Sequence, residues 1–259
     1  MMKYTAIKAA NPDVDLTGVE IVNPLTSDKL ETYNAKLCEL RASKGMTPDQ
    51  AAKLLMDGTY FGAMMLKMGD VDGLVSGACH STANTLRPGL QIIKTAKGVS
   101  SVSSFNLMIC PPQGNQYCPD GLVVFADCGL NPTYTSEGLA ECAIATANSA
   151  KAITGIEPRV AMLSFSTKGS GNDDKFFKSV PKMQEATALA KAAAPDLKLD
   201  GEFQFDAAVA PEVGKLKAPE SPVAGNANVF VFPNINAGNI GYKLVQRLAK
   251  AEAYGPLTQ

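Results

Sequence analysis

Three stretches of this chain gather glycine, serine and threonine beside a cation, the residue types that hold an oxyanion. The first is Asp72-Gly-Leu-Val-Ser-Gly-Ala-Cys-His-Ser-Thr-Ala-Asn-Thr-Leu-Arg-Pro88. It reads as a short apolar strand (Leu74, Val75), a break at Ser76-Gly77, a hydroxyl-rich turn (Ser81, Thr82, Thr85) and a helical run near residues 90–94. A strand that opens through Gly and Ser into a helix points backbone N–H groups at one spot, where the helix dipole favours an anion. Arg87 adds a planar fork of donors suited to phosphate or carboxylate. The same pattern is also ordinary α/β punctuation, and recurrence is what favours the anion reading. Arg159-Val-Ala-Met-Leu-Ser-Phe-Ser-Thr-Lys-Gly-Ser-Gly171 again runs from a strand into Ser166, Thr167, Gly169 and Ser170 around Lys168. A third stretch, residues 227–241, carries Asn239 in a Gly/Asn loop, with Lys243 and Arg247 just beyond. Three such loops suggest a cleft for a polyanionic ligand. No G-x-x-x-x-G-K-[ST] occurs, and Gly169-x-Gly171 lacks the later glycine of a dinucleotide fingerprint.

Other residues with chemical potential each have two readings. Arg41 borders a helical stripe, as a surface charge complementing the helix dipole or as an anion ligand. His80 has a reference pKa of about 6.5, apt for a base, but its hydroxyl-rich turn offers an easy structural hydrogen bond. Asp206, near a strand end, either faces the ligand region or serves as a cap or ion-pair partner. Met56, Phe61, Met64, Met65 and Met68 read as core rather than as a cofactor box. The six cysteines contain no C-x-x-C and have no clustered His, so they read as reduced thiols and no metal site is expected.

Apolar residues at 46% and charged residues at 19% exclude a disordered chain, and the net charge of −1 argues against a dedicated nucleic-acid binder. No apolar run approaches the ~20 residues of a membrane span. The opening residues carry Lys3, Lys8 and Asp13 without an apolar core, so no signal peptide is expected and a cytoplasmic location is.

The elements that must position these loops follow from periodicity. Val19 to Val22 reads as a strand. Leu30, Tyr33, Leu37 and Leu40 form a helical stripe, and Thr47-Pro-Asp-Gln50 is a capping box that starts another helix, followed by a helical piece over 61–68. Residues 100–110 and 121–127 are strand-like runs joined directly by a Pro/Gly loop, which implies an antiparallel pair. Composition shifts there, giving a domain boundary near Gly98. Helices are expected over 139–154 and, capped by Ser179, over 180–194. Strands are expected over 200–206 and 228–232, a loop over 215–224, a helix over 240–250 and a final apolar piece over 253–257. Alternation of strands and helices indicates an α/β fold with mostly parallel sheets, whose ligands sit at the carboxyl ends of strands.

Several blocks, in order and with matching spacing, resemble the phosphate acetyltransferase (phosphotransacetylase) family. They include Arg41 with Lys44-Gly-Met-Thr47, Asp72 to Ala78, Thr85-Leu-Arg-Pro88, Val124-Phe-Ala-Asp127, Glu157 to Thr167, Asp206-Ala-Ala208, Lys217 to Asn228 and Ala237-Gly-Asn-Ile-Gly-Tyr-Lys243. The resemblance implies acetyl transfer between coenzyme A and inorganic phosphate, giving acetyl phosphate, with coenzyme A as substrate and no tightly bound cofactor. It implies two α/β domains of the isocitrate/isopropylmalate dehydrogenase kind with a cleft between them, 1–98 with 237–259 forming the first and 99–236 the second, and a homodimer. It places Arg41 and Arg87 at positions that bind the anionic parts of coenzyme A or hold phosphate and acyl group, with Arg87 catalytic. Ser76, Gly77, Ser81 and Thr82 would line one wall, and Ser166, Thr167, Gly169, Ser170 and Asn239 the other.

The family's chains are longer at both ends, so by this resemblance the sequence is truncated. The tail that supplies the family's transition-state Ser and Arg, and its thiol-deprotonating Asp, has no counterpart in these residues. Two readings therefore stand: an acetyltransferase working by direct thiolate attack, or a catalytically impaired module that binds coenzyme A or phosphate or only dimerises. A nicotinamide-dependent dehydrogenase of related fold is a weaker third, lacking the acidic metal-ligand cluster that class needs.

Overall fold

A computed structural model of the chain describes residues 8–96, 99–112, 116–118, 120–171 and 178–259. The boundary expected near Gly98 falls outside the described residues, but the chain divides close by, into units 1–94 and 95–259.

In the first unit the described residues form helices and no strand. After a 3-10 turn at Pro24–Thr26 come α1 (Leu30–Leu40), α2 (Pro48–Leu55), α3 (Gly58–Met68), α4 (Thr82–Pro88) and a π-helical turn at Gly89–Ile93. The capping box forms as expected: the Thr47 hydroxyl accepts from Gln50 N–H while the Gln50 side chain accepts from Thr47 N–H. The apolar stripe of α1 (Tyr33, Leu37) closes on Ala51 and Leu55 of α2 and on Phe61, Ala63 and Met64 of α3. Phe61 and Met64 are thus core, while Met56 and Met68 lie more than a third exposed. The strands expected at 19–22 and 74–75 do not form. Val19, Ile21, Leu74 and Val75 are exposed, and an apolar pair without a neighbouring strand has no ladder to join.

The second unit is a three-layer α/β sandwich around one six-stranded sheet, ordered β4-β3-β5-β2-β1-β6. Its strands are β1 (Ser104–Ile109), β2 (Leu122–Ala126), β3 (Arg159–Leu163), β4 (Lys198–Phe203), β5 (Val229–Val231) and β6 (Glu252–Thr258). The four strands β4, β3, β5 and β2 run parallel, and β1 pairs antiparallel with both β2 and β6. The direct 110–121 connection thus gives the antiparallel pair its sequence implied. Both faces of the sheet are apolar. Val124, Ala126, Val160, Met162, Val229 and Val231 meet Leu139, Ala143, Ala147, Met183, Ala186 and Ala190 of α5 (Ser136–Thr154) and α6 (Ser179–Ala193). Phe125, Ala161, Leu163 and Phe230 face the other way, toward α7 (Phe205–Val209), α8 (Pro211–Lys217) and α9 (Ile235–Leu248). Alanine at the contact positions of α5 and α6 lets these helices lie close together and against the strands.

Four details differ from expectation. Ser179 is the first residue of α6 rather than its cap; Lys178 occupies that position without a capping bond. The stretch read as a loop from 215 begins inside α8, and Asp206 lies in α7 rather than on a strand. Residues 237–259, which the resemblance assigns to the first domain, lie in the second unit here: Gly238 packs on the Asp127 carbonyl and β6 forms a ladder with β1.

Candidate functional site

The first unit brings Arg41 and Arg87 to one neighbourhood. Arg41 terminates α1, and its Nε is buried without a hydrogen-bond partner. Arg87 stands in the last turn of α4 and donates from a terminal guanidinium nitrogen to Asn84 Oδ1 at 3.2 Å. Among the described residues neither arginine has a carboxylate partner. Tyr60 of α3 lies near both: burial pushes its phenol up, and the positive charges of Arg87 and Arg41 pull it part of the way back. It is a neutral phenol at neutral pH, so it does not quench the guanidinium charges. Two unpaired guanidinium groups beside a neutral ring are suited to an anion with several oxygens.

The turn before Arg87 is differently built from the strand–turn–helix the sequence suggests. Ser76 and Gly77 lie outside any helix or strand, with Gly77 at φ 113°, and a side chain added there would meet Thr85. Ser81 caps α4, its hydroxyl accepting from Asn84 N–H at 3.3 Å, and Thr82 opens the helix. The helix has only seven residues, so its dipole is short and one of its free donors is already used by the cap. Ser76, Ser81, Thr82 and Arg87 are exposed, and the charge of this wall comes from arginine. His80 places Nε2 3.7 Å from Asp57 Oδ2, the carboxylate that caps α3 through Thr59 N–H; its neighbour is thus a carboxylate on another element and not a hydroxyl of its own turn.

The loop after β3 behaves otherwise. Its backbone donors are spent within the protein. Glu202, buried on β4, accepts from Ser166 Oγ and from Gly169 N–H, both at 2.7 Å. Gly171 N–H reaches Ser166 Oγ at 2.9 Å, Thr167 N–H reaches Ser170 Oγ at 3.0 Å, and Lys168 N–H reaches the Glu202 carbonyl at 3.1 Å. Ser166 is wholly buried and Thr167 nearly so. The donors of Ser166 and Gly169 thus already meet a buried carboxylate, and the Thr167 N–H meets Ser170. Glu202 was not singled out in the sequence, where only its alternation on a strand was visible.

Lys168 is likewise engaged. Its Nζ and that of Lys191 both bond Asp200 Oδ1, at 2.7 and 2.6 Å. Burial would raise the Asp200 carboxyl, but hydrogen bonds from Lys168, Lys191, Ser221 and the Gly201 backbone together hold the group below the usual carboxylate range. A cleft of about 400 Å³ beside them is lined by Lys168, Lys191, Lys217, Asp200, Glu220 and Ser221. Lys217 is paired with Asp206 at 3.1 Å, which settles Asp206 as an ion-pair partner. Three lysines against Asp200, Glu220 and Asp206 leave no net charge, so this cleft does not compete with the arginine pair for a phosphate.

At the carboxyl end of β2, Asp127 is fully buried and organises the chain around it. Its carboxylate accepts from the backbone N–H groups of Gly129, Leu130 and Asn131 and from the hydroxyls of Ser104 and Tyr134. Asn239 joins this framework by donating from Nδ2 to the Cys128 carbonyl at 3.0 Å. It is a structural clasp between α9 and the β2 loop. Among the described residues no three His, Cys, Asp or Glu side chains are placed to hold a metal ion, and no helix is long and apolar enough to cross a membrane.

The chain is 52% identical over 253 residues to the phosphate acetyltransferase of Thermoanaerobacterium thermosaccharolyticum, covering 98% of this chain and 75% of that protein. It is 53% identical over 252 residues to the phosphate acetyltransferase of Clostridium acetobutylicum, covering 97% and 74%. The crystal structure of a phosphotransacetylase from Streptococcus pyogenes superposes with a TM-score of 0.85 at 45% identity, covering 100% of this chain and 75% of that one. The profile of the family described as phosphate acetyl/butaryl transferase matches residues 2–259, and the chain belongs to that family.

Proposed function

We propose that this chain transfers an acetyl group between coenzyme A and inorganic phosphate, acetyl-CoA and phosphate giving acetyl phosphate and coenzyme A. The observation that carries the proposal is identity above 50% to phosphate acetyltransferases over nearly the whole chain. The unpaired Arg41 and Arg87 supply a physical reason. Every substrate of this reaction is a phosphate or carries one, and the acyl-transfer step develops an oxyanion at the acetyl carbon. In the direction of coenzyme A acetylation the thiolate sulfur attacks the acetyl carbon of acetyl phosphate, the C–O bond to phosphate breaks, and phosphate leaves with the bonding pair. Guanidinium groups that hold the phosphoryl oxygens stabilise that departure, and Arg87 is the residue assigned to it, with Arg41 as its binding partner.

Ser76, Ser81 and Thr82, which are exposed, and the half-buried Gly77 precede Arg87 in the chain and belong to the substrate-binding wall in this reading. Ser166, Thr167, Gly169, Ser170 and Asn239 enter it as framework, since their polar groups are committed internally. The reading carries with it two α/β domains of the isocitrate/isopropylmalate dehydrogenase kind flanking a cleft, a homodimer, a cytoplasmic location and no tightly bound cofactor, all resting on the resemblance of the sequence blocks. The test is to incubate the chain with acetyl-CoA and phosphate and trap acetyl phosphate as its hydroxamate. Phosphate-dependent hydroxamate supports the proposal. Binding of coenzyme A without product would replace it by the binding-module reading.

A further inference from the structure

Arg87 sits on a helix of seven residues, far below the ~12 at which an isolated helix holds itself together. Its position therefore depends on what fastens the segment 82–93 to the rest of its unit. Two fastenings are apolar: Pro88 is buried at the end of α4, and Ile92 is buried in the first unit's core. Among the described residues one side-chain hydrogen bond joins the segment to another helix. The Tyr60 hydroxyl, on α3, donates to Gln91 Oε1 at 3.0 Å. Gln91 lies in the π-helical turn Gly89–Ile93, closed by Lys94 N–H on the Gly89 carbonyl at 2.9 Å. Such turns shift the phase of the residues they carry and recur at functional sites; here the turn carries Gln91, which meets Tyr60. Tyr60 is only 6% exposed, and Gln91 is half-buried, so the bond is partly screened from water. The ring next to Tyr60 in sequence, Phe61, packs on Tyr33 of α1 with ring centroids 5.1 Å apart, and α1 ends at Arg41. Two adjacent residues of α3, Tyr60 and Phe61, thus reach the supports of the two arginines.

We propose that the Tyr60–Gln91 hydrogen bond is a positioning tie for the anion-binding arginine pair, holding the short helix of Arg87 against α3 so that Arg87 and Arg41 act on the same phosphoryl group. This rests on the proposed acetyltransfer. Tyr60 and Gln91 are positioning residues that act through Arg87; neither is assigned a contact with substrate.

The test is a double-mutant cycle read in the steady-state kinetics of acetyl-CoA formation from acetyl phosphate. Tyr60→Phe keeps the ring and removes the donor; it is expected to raise KM for acetyl phosphate by about three- to tenfold, the size of one neutral hydrogen bond, with the fold retained by circular dichroism. In the Arg87→Ala background the same change is expected to add nothing, because the group it positions is gone. Gln91→Met, which removes the acceptor at similar volume, is expected to reproduce both results and serves if Tyr60→Phe fails to fold. An unchanged KM in both single variants, or a Tyr60→Phe effect that multiplies that of Arg87→Ala, overturns the tie while leaving the proposed reaction standing. Full activity in Arg87→Ala alone overturns the site assignment on which the tie rests.

Discussion

Replacing Glu202 should reveal how much of the second unit's stability is held by one buried carboxylate. Glu202 is 2% exposed, and a single oxygen of it accepts from Ser166 Oγ and from Gly169 N–H, both at 2.7 Å. Glu202→Ala leaves both donors in a site closed to water. An orphaned buried donor costs about 1–3 kcal/mol. Two of them, with the space left by the missing side chain, make a loss of about 3–6 kcal/mol. Glu202→Gln keeps a carbonyl oxygen of the same reach. It exchanges two charge-assisted bonds for neutral ones, and the expected loss is only about 1–2 kcal/mol. Urea unfolding followed by circular dichroism separates the cases: the alanine midpoint should fall well below the glutamine midpoint, with equal slopes. An alanine variant within about 1 kcal/mol of the parent would refute the reasoning, as would a glutamine variant equally damaging.

Asp200, held below the usual carboxylate range against the effect of its own burial by hydrogen bonds from Lys168, Lys191, Ser221 and the Gly201 backbone, contributes stability above its unfolded pKa of about 4 and loses it as pH falls through the lower folded value. Asp200→Asn should cost about 1–3 kcal/mol at neutral pH, discounted for two half-exposed lysines, and should flatten the acid limb of the stability profile; an unchanged acid limb would contradict this. A side chain at Gly238 would come within 2.5 Å of the Asp127 carbonyl and 3.2 Å of Cys128. Gly238→Ala should therefore lower stability by about 1–3 kcal/mol, checked by the thermal midpoint. His80→Ala should keep activity within about twofold, since a part-exposed contact to Asp57 is worth little; a loss of activity at unchanged stability would make His80 a catalytic base instead.

Much of the second unit is legible in the sequence because its signals are local. The direct link between β1 and β2 and the short apolar runs of β2, β3 and β5 follow from spacing alone, as does the capping box at Thr47 in the first unit. What stays hidden depends on distant partners. Leu74 and Val75 have strand-like character, yet a strand exists only where another lies beside it, and none of the described residues of the first unit provides one. The Gly/Ser/Thr loop after β3 looks like an anion cradle because it is one, but its anion is Glu202, 33 residues away from Gly169. Sequence spacing shows which donors converge and cannot show who reaches them first. Arg41 and Arg87 were visible as cations; their freedom from any carboxylate partner, which separates them from Lys168 and Lys217, required the fold.

Whether the arginine pair of the first unit handles phosphate in acetyl transfer is read from the kcat/KM of Arg87→Ala for acetyl phosphate. Arg87 is exposed at the end of a short helix, so the variant should fold with an unchanged thermal midpoint. Its kcat/KM should fall by about 10- to 100-fold, the loss of charge-assisted bonds to one phosphoryl group. A folded variant that turns over acetyl phosphate at the parent's rate would contradict the account.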